Sequence, residues 1–342
     1  MKIAIHNDPN SFSNHWSDYC RENSIDYKLV DCYQSNIIQE INDCDILMWH
    51  FNHTNAKDML FARQLLFSLE SSGKKVFPDF KTSWHFNDKV GQKYLLESIN
   101  APLVSSYVFY NKEEALAWAK KTSFPKVFKL RGGAGSENVR LIRTSQKARK
   151  IIRKAFKTGF RKYDYFGSLR DRIMKYKEGN ATIVGILKSM IHLVFANDFV
   201  RSRKELSRIL GNEKGYIYFQ DFIPENQYDI RVIIIGDKAF AIKRLVRKND
   251  FRASGSGKII YDVKQIDIRC IEISFEVTER LNTQCLAFDF IFNKANEPKI
   301  TEISYGFLSY AYVKCEGYWD KDLVWHEGEF NPYGWMIENL IR

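Results

Sequence analysis

The sequence predicts a mixed α/β (α+β) protein with a parallel sheet at its start, a basic helical stretch in its middle and a β-rich half after it. Three observations predict this. Over the first 80 residues, short apolar strands alternate with helical patterns; residues 144–213 set Lys and Arg around apolar residues at helical spacing; from Tyr216 onward, strand-length apolar runs follow one another across short turns. Strands interleaved with helices make βαβ units and a parallel sheet, whereas strands joined by tight turns pair antiparallel.

The elements follow in order. KIAIH (2–6), YKLVD (27–31), DILMWHF (45–51) and KKVFPDF (74–80) are strands, separated by the helical runs HWSDYCREN (15–23), NIIQEI (36–41) and DMLFARQLLFSLESS (58–72). Asn87 is placed to cap a helix through Leu96, and KEEALAWAKK (112–121) is a further amphipathic helix. DIRVIIIGDKAFAIKRLV (229–246) is two strands around a Gly236-Asp237 turn. A glycine loop RASGSGKI (252–259), a helix around CIEISFEVTERLN (270–282) and the strand pair CLAFDFIF (285–292) and PKITEIS (298–304) complete the order.

Composition narrows the class. A chain of 342 residues, 45% hydrophobic and 15% aromatic, can bury sizeable cores in two or three lobes. Its first residues hold one lysine and a three-residue apolar run, a strand and not a signal peptide. The longest apolar run, ATIVGILKSMIHLVF (181–195), contains Lys188 and His192 and is too short and too polar to span a bilayer. Six scattered cysteines with no C-x-x-C pair read as reduced thiols of a cytoplasmic protein and give zinc little support. The net charge of +11 is local: residues 140–214 hold 20 Lys/Arg and six Asp/Glu, so this stretch carries +14 and the rest of the chain −3.

Two stretches carry chemistry. PKVFKLRGGAGSENVRLI (125–142) runs a strand ending at Lys129 into Gly132, Gly133, Ala134, Gly135 and Ser136. Glycines allow close approach and positive φ, and the lysine adds a point charge, a combination that lays backbone N–H groups against an anion. A Gly-rich turn that touches nothing is the alternative. Asp289 and Glu302 lie 13 residues apart on two consecutive apolar strands. A carboxylate inside LAFDFIF is costly to bury unless paired or bound to a cation, and hard oxygen ligands suit Mg²⁺. The alternative is an acid paired with Arg231, Arg244 or Arg252. His50 and His53 end a parallel strand, where ligands often bind, but also read as hydrogen-bonded loop residues. The tryptophans of GYWDKDLVWHEGEFNPYGW (317–335) read as a packed cap, with a sugar-stacking platform as the other option.

The order Lys89, Lys129 with its glycine loop, QDFI (220–223), YDIR (228–231), IKR (242–244), FRAS (251–254), FDFIF (288–292) and TEIS (301–304) resembles the ATP-grasp superfamily. It is most similar to the ribosomal-protein glutamate ligase and glutathione-synthetase-like branch, over residues 87 to 306. The resemblance implies a pre-ATP-grasp αβ domain at 1–86, ATP-grasp lobes at 87–143 and 214–342, and a basic helical insertion at 144–213 longer than the usual connection. It implies that Lys89, Lys129 and a flap of Gly132, Gly133, Gly135 and Ser136 hold the phosphates of ATP. Gln220, Asp221, Phe222 and Ile223 lead into the hinge that meets adenine, and Asp229 and Lys243 take further nucleotide positions. Asp289, Glu302 and Ser304 fall where the branch holds one or two Mg²⁺ ions, with Ser304 replacing the usual asparagine. Arg252 falls beside the transferred phosphate, where with Lys129 it acts in catalysis.

The expected function is therefore a carboxylate–amine ligase: ATP phosphorylates a carboxylate, and an amine attacks the acyl phosphate to give an amide. No protein nucleophile is needed, in keeping with the absence of a Ser-His or Cys-His signature. Substrates are a small acid and amine or a larger acidic acceptor such as a polysaccharide intermediate, a membrane-linked glycan or an acidic protein. The insertion would meet such an acceptor, or the inner face of the membrane, through its cations. A kinase on the same fold is one rival. A nucleic-acid-binding protein using the insertion is another, although no specific nucleic acid is expected.

Overall fold

The computed structural model describes residues 1–53, 55–132, 138–161, 176, 182, 208–209, 211–246, 251–253 and 257–342. The apolar run 181–195, except Thr182, and most of the basic insertion lie outside the described residues. By contacts the chain forms two compact units, one of Met1–Asn52, Lys57–Val104 and Ile223–Arg342, the other of His53–Ala56 and Ser105–Phe222. The first unit takes in both the N-terminal βαβ region and the C-terminal strands, which the sequence pattern separates at residue 86.

In the first unit β1 (Ile3–His6), α1 (Ser13–Glu22), β2 (Tyr27–Val30), α2 (Ile37–Glu40), β3 (Ile46–Met48), α3 (Ala56–Ser71) and β4 (Lys75–Phe77) alternate. The strands form a parallel sheet in the order β2-β1-β3-β4. β1 and β3 are buried along their whole length, as parallel strands covered on both faces must be. After α4 (Phe80–Ser83), α5 (Lys89–Ser98) begins one residue later than the cap read from sequence. Asp88 accepts the N–H groups of Val90 at 3.1 Å and Gly91 at 2.9 Å, while Asn87 sits at φ 57°, a left-handed conformation that asparagine tolerates.

The second unit holds β5 (Ser106–Phe109), α6 (Lys112–Lys121), β6 (Lys126–Lys129), β7 (Arg140–Ile142), α7 (Ser145–Lys157), β8 (Phe160–Arg161), β9 (Asn212–Glu213) and β10 (Ile217–Asp221). Its main sheet is antiparallel in the order β5-β10-β6-β7. One face packs Phe128, Leu130, Ile217 and Phe219 against Ala115, Ala119, Ala148, Ile152 and Ala155 of the two helices. The apolar residues Ile151, Ile152, Phe156 and Phe160 are therefore taken up by this core. Lys147, Lys150, Arg153, Lys154 and Lys157 stay exposed, with Gln146 beside them, so positive charge dominates the outer face of α7.

The chain returns to the first unit with β11 (Tyr228–Ile235), β12 (Lys238–Leu245), β13 (Ile259–Ile260), α8 (Ile268–Leu281), β14 (Cys285–Phe292), β15 (Pro298–Ser304), β16 (Gly317–Asp320), β17 (Trp325–Glu327) and α9 (Pro332–Ile341). The strands run β15-β14-β11-β12-β16-β17, with β13 beside β12. Gly236 turns β11 into β12 at φ 57°, and a Cβ there would lie 2.4 Å from Asn339 Nδ2. Alternation sorts the side chains. Ile230, Val232, Ile234, Phe288 and Phe290 join Cys270, Ile271 and Val277 of α8 in one core, while Ile233, Ile235, Phe240, Ile242 and Ala287 join the N-terminal sheet in another. Trp319 and Trp325 pack with ring centroids 4.6 Å apart, and Trp335 stacks on Phe330 at 5.1 Å, as a C-terminal cap does. All six cysteines are free, and among the described residues no helix is long and apolar enough to cross a membrane.

Asp58 ties the loop after β3 to α3: it accepts the Tyr33 hydroxyl and the Asn52 N–H, and burial pushes it up to about 6 despite these bonds. In the unfolded chain its value is about 3.9. Between those values the folded state binds the extra proton, so this group's contribution to stability falls as pH rises from about 4 to about 6. Chemical denaturation across that range should show the native protein losing up to about 3 kcal/mol relative to Asp58→Asn. Parallel pH profiles would mean that Asp58 keeps its unfolded value in the folded state.

Candidate active site

The face of the antiparallel sheet that covers the N-terminal core changes character along its strands. Ile233, Ile235, Phe240, Ile242 and Ala287 are apolar; beyond them, on the same face, stand Asp229, Arg231, Arg244, Asp289, Glu302 and Ser304. Register makes the row. Arg231 is opposite Asp289, Asp289 opposite Glu302, and Asp229 opposite Arg244, at the separation where cross-strand side chains meet.

A bulge completes it. Simple alternation along PKITEIS would put Ile300, Glu302 and Ser304 on one face. The pairing instead slips between Asp289 and Phe290, and the Thr301 hydroxyl donates to the Asp289 carbonyl at 3.0 Å. Ile300 and Ile303 thereby share the core beneath α8, and Glu302 and Ser304 turn to the side of Asp289.

Every acid in the row has a cation. Arg231 Nη1 and Arg244 Nη2 each donate to Asp289 Oδ1 at 2.8 Å, and Arg244 also forks onto Asp229 with two bonds of 2.7 Å. Lys89, 6% exposed at the start of α5, reaches Glu302 Oε1 at 3.0 Å. Burial alone would raise Asp289, but the two guanidinium charges outweigh it and hold the carboxyl below its ordinary value. Asp229 has one arginine, and burial pushes it up to about 6. The Tyr312 phenol, buried beside Arg231, is pushed up to about 12.

The second unit holds another polar set. On the sheet face away from its helices, Lys129 Nζ donates to Gln220 Oε1 at 2.7 Å, and Gln220 Nε2 and the Tyr218 hydroxyl donate to Ser106 Oγ at 3.2 and 2.8 Å. The glycine loop leaves from this point, its base pinned by the Arg131 N–H on the Tyr216 hydroxyl at 2.7 Å. Gly132 is buried; Gly133, Gly135 and Ser136 lie outside the described residues.

Some expected site residues are engaged elsewhere. Lys243 points to the other face of its strand, over the Tyr228 ring at 3.9 Å, and Arg244 stands with the acids instead. Asp221 pairs with Lys126 on the helix-covered face, and its N–H is given to the Ser105 carbonyl at 2.9 Å. Phe222 and Ile223, half-buried, follow it at the boundary between the two units. The Ser304 hydroxyl, on the same face as the acids, exchanges hydrogen bonds with Gly306, donating to its carbonyl at 3.1 Å and accepting from its N–H at 3.2 Å. Arg252 is half-buried between Phe251 and the buried Ala253. His50 stacks on Phe12 at 3.6 Å in the N-terminal core. Arg231 was legible only as a partner of a buried acid, and Arg244 as such a partner or as the inward-facing alternative to Lys243; Gln220 as the support of Lys129, and Tyr216 as the anchor of the loop, left no local signal.

Asp289 and Glu302 offer hard carboxylate oxygens from opposed positions on adjacent strands, the kind of donor that suits Mg²⁺. Among the described residues there is no group of three or more His, Cys, Asp or Glu able to hold a metal ion.

Comparison with known proteins agrees with this fold. The chain superposes over its whole length on a RimK-domain ATP-grasp protein from Sphaerobacter thermophilus, with TM-score 0.56, 13% identity and 100% of both chains covered. D-cycloserine synthetase gives TM-score 0.59 at 11% identity, covering 100% of this chain and 99% of that one. The biotin carboxylase domain of a Hydrogenobacter thermophilus 2-oxoglutarate carboxylase, solved with MgADP and bicarbonate, gives 0.58 at 12%, covering 98% and 68%. The fold is that of ATP-grasp enzymes. Residues 168–306 match the family model of the RimK-like ATP-grasp domain. No curated protein matches the sequence.

Removing one partner from a buried ion pair strands the other. Arg244→Met should lower unfolding free energy by about 3–5 kcal/mol, whereas Lys243→Met should cost about 1 kcal/mol at most, the worth of its cation–π contact. Equal losses in urea titrations would contradict the two-faced reading of β12.

Proposed function

We propose that the chain is an ADP-forming carboxylate–amine ligase, in which ATP activates a substrate carboxylate as an acyl phosphate and an amine displaces phosphate to form an amide. The observation that supports this is the charged half of the sheet face, where Asp289 and Glu302 stand opposed among Lys89, Arg231 and Arg244. Phosphoryl transfer needs positioning and charge compensation and no protein nucleophile, and this array has that composition. Mg²⁺ bound at Asp289 and Glu302 would neutralise phosphate charge.

The protein's own groups have separate tasks in this reading. Lys89 and Lys129 are buried ammonium groups held in one orientation by Glu302 and Gln220, fitted to phosphate oxygens. Arg231 and Arg244 are planar donors fitted to the acyl phosphate as its charge builds up, a task that adds to or replaces that expected of Arg252. The amine attacks the acyl carbon, the carbon–oxygen bond to phosphate breaks, and the nitrogen gives up a proton.

Small acids and amines are the substrate class this reading favours. An acidic polymer, such as a polysaccharide intermediate or an acidic protein, is the further acceptor that the exposed cations of α7 would suit. Because the apolar stripe of α7 lies in its own core, its outer face suits a soluble polyanion better than a bilayer. A cytoplasmic location goes with this reading.

Native protein should gain several degrees in melting temperature with ATP and Mg²⁺, since ligand at about 100 times its Kd adds about 2.7 kcal/mol of stability. Glu302→Gln should keep the fold by circular dichroism and lose at least about 100-fold in ADP release across a panel of acid and amine pairs. Retained turnover would make Glu302 structural. Charge reversal at Lys150, Arg153 and Lys154 should weaken binding of polyanions, measured by salt-dependent retention on an anionic polymer, and leave ATP-induced stabilisation intact. Unchanged retention would leave α7 a solvated face.

A further inference from the structure

Lys89 and Glu302 come from different elements, and one buried amide ties those elements together. β15 is the edge of its sheet, so its outward backbone groups need partners from outside it. The segment before β5 supplies two: the Ile300 N–H donates to the Pro102 carbonyl at 2.8 Å, and the Val104 N–H donates to the Ile300 carbonyl at 2.9 Å. Next to Glu302 the partner is a side chain. The Ile303 N–H donates to Gln92 Oε1 at 3.3 Å, and Gln92 Nε2 donates to the His85 carbonyl at 3.2 Å. Gln92 is 4% exposed and lies one helical turn after Lys89, on the same side of α5.

We propose that Gln92 is a positioning residue of the nucleotide and metal site, holding α5 with Lys89 in register against β15 with Glu302. This rests on the ligase reading above. Two devices then fix Glu302 from its two sides: the bulge, where Thr301 holds the Asp289 carbonyl, and the edge, where Gln92 holds Ile303. An apolar side chain of the same length would fill the space but leave the Ile303 N–H without its partner, freeing the strand to shift against the helix. Outer supports of this kind change metal affinity by roughly 10- to 100-fold when removed.

The test compares Gln92→Met with Leu96→Ala. Leu96 lies one turn further along α5, fully buried in the core beneath α8 and outside the charged set. ATP binding is titrated against Mg²⁺, and against Mn²⁺ as a second probe. Gln92→Met should raise the metal concentration for half-maximal ATP binding about tenfold, while Leu96→Ala lowers the melting temperature at least as much and leaves that concentration within about twofold. An unchanged metal requirement in Gln92→Met, or an equal shift in Leu96→Ala, overturns the proposal. Should Gln92→Met fail to fold, Gln92→Asn, too short to bridge His85 and Ile303, is judged by the same two outcomes. Absence of ATP binding by the native protein overturns the ligase reading and this proposal together, and is seen before any variant is made.

Discussion

A carboxylate in the middle of an apolar strand can be buried only in the company of cations, and Asp289 has two. Sheet pairing chooses them. Arg231 faces Asp289 across β11, and Arg244 reaches it from the next strand while holding Asp229. Each guanidinium thus sits against a carboxylate with several satisfied donors, the condition under which buried ion pairs are tolerated. The rest of the face follows from this row. Its apolar half seals the N-terminal core, and its charged half begins where Ile233 gives way to Arg231, two residues back along the same strand.

How much of this could be read from the residues depended on whether period two held. The hairpin at Gly236-Asp237, the strands 285–292 and 298–304, and the helix at 112–121 stand as their patterns indicated, because each is set by local alternation or capping. The bulge at Thr301 was not legible. PKITEIS has no glycine or proline at that point, and the slip is chosen by two isoleucines seeking one core. IKR allowed only one of Lys243 and Arg244 on the site face, but nothing in the run named which; the choice is made by Asp229 directly across on β11. The cap shift from Asn87 to Asp88 has the same character, since both side chains can cap and only the backbone of the preceding turn decides.

The second unit shows a different limit. Lys129 was read as a phosphate-binding lysine and Gln220 as a nucleotide contact, each from its place in a series. Their structure joins them, with Gln220 holding the ammonium group and Ser106 and Tyr218 holding Gln220. Such a chain couples β5, β6 and β10, which lie far apart in sequence, and no single window carries it. A buried network of this kind is fully satisfied or costly, so its members support one another's orientation.

Charge balance joins these parts. In the first unit Asp229 and Asp289 match Arg231 and Arg244, and Glu302 matches Lys89, so the row is neutral as it stands. A divalent cation arriving alone would face three positive charges already seated on the acids; a polyphosphate arriving alone would face the acids behind those cations. Arriving together they bring opposite charges, and each acid and each cation can exchange its present partner for one on the ligand without any buried charge being left unmatched. On the ligase reading, the geometry that lets the acids be buried is therefore the same geometry that would favour a nucleotide and its metal over either one alone.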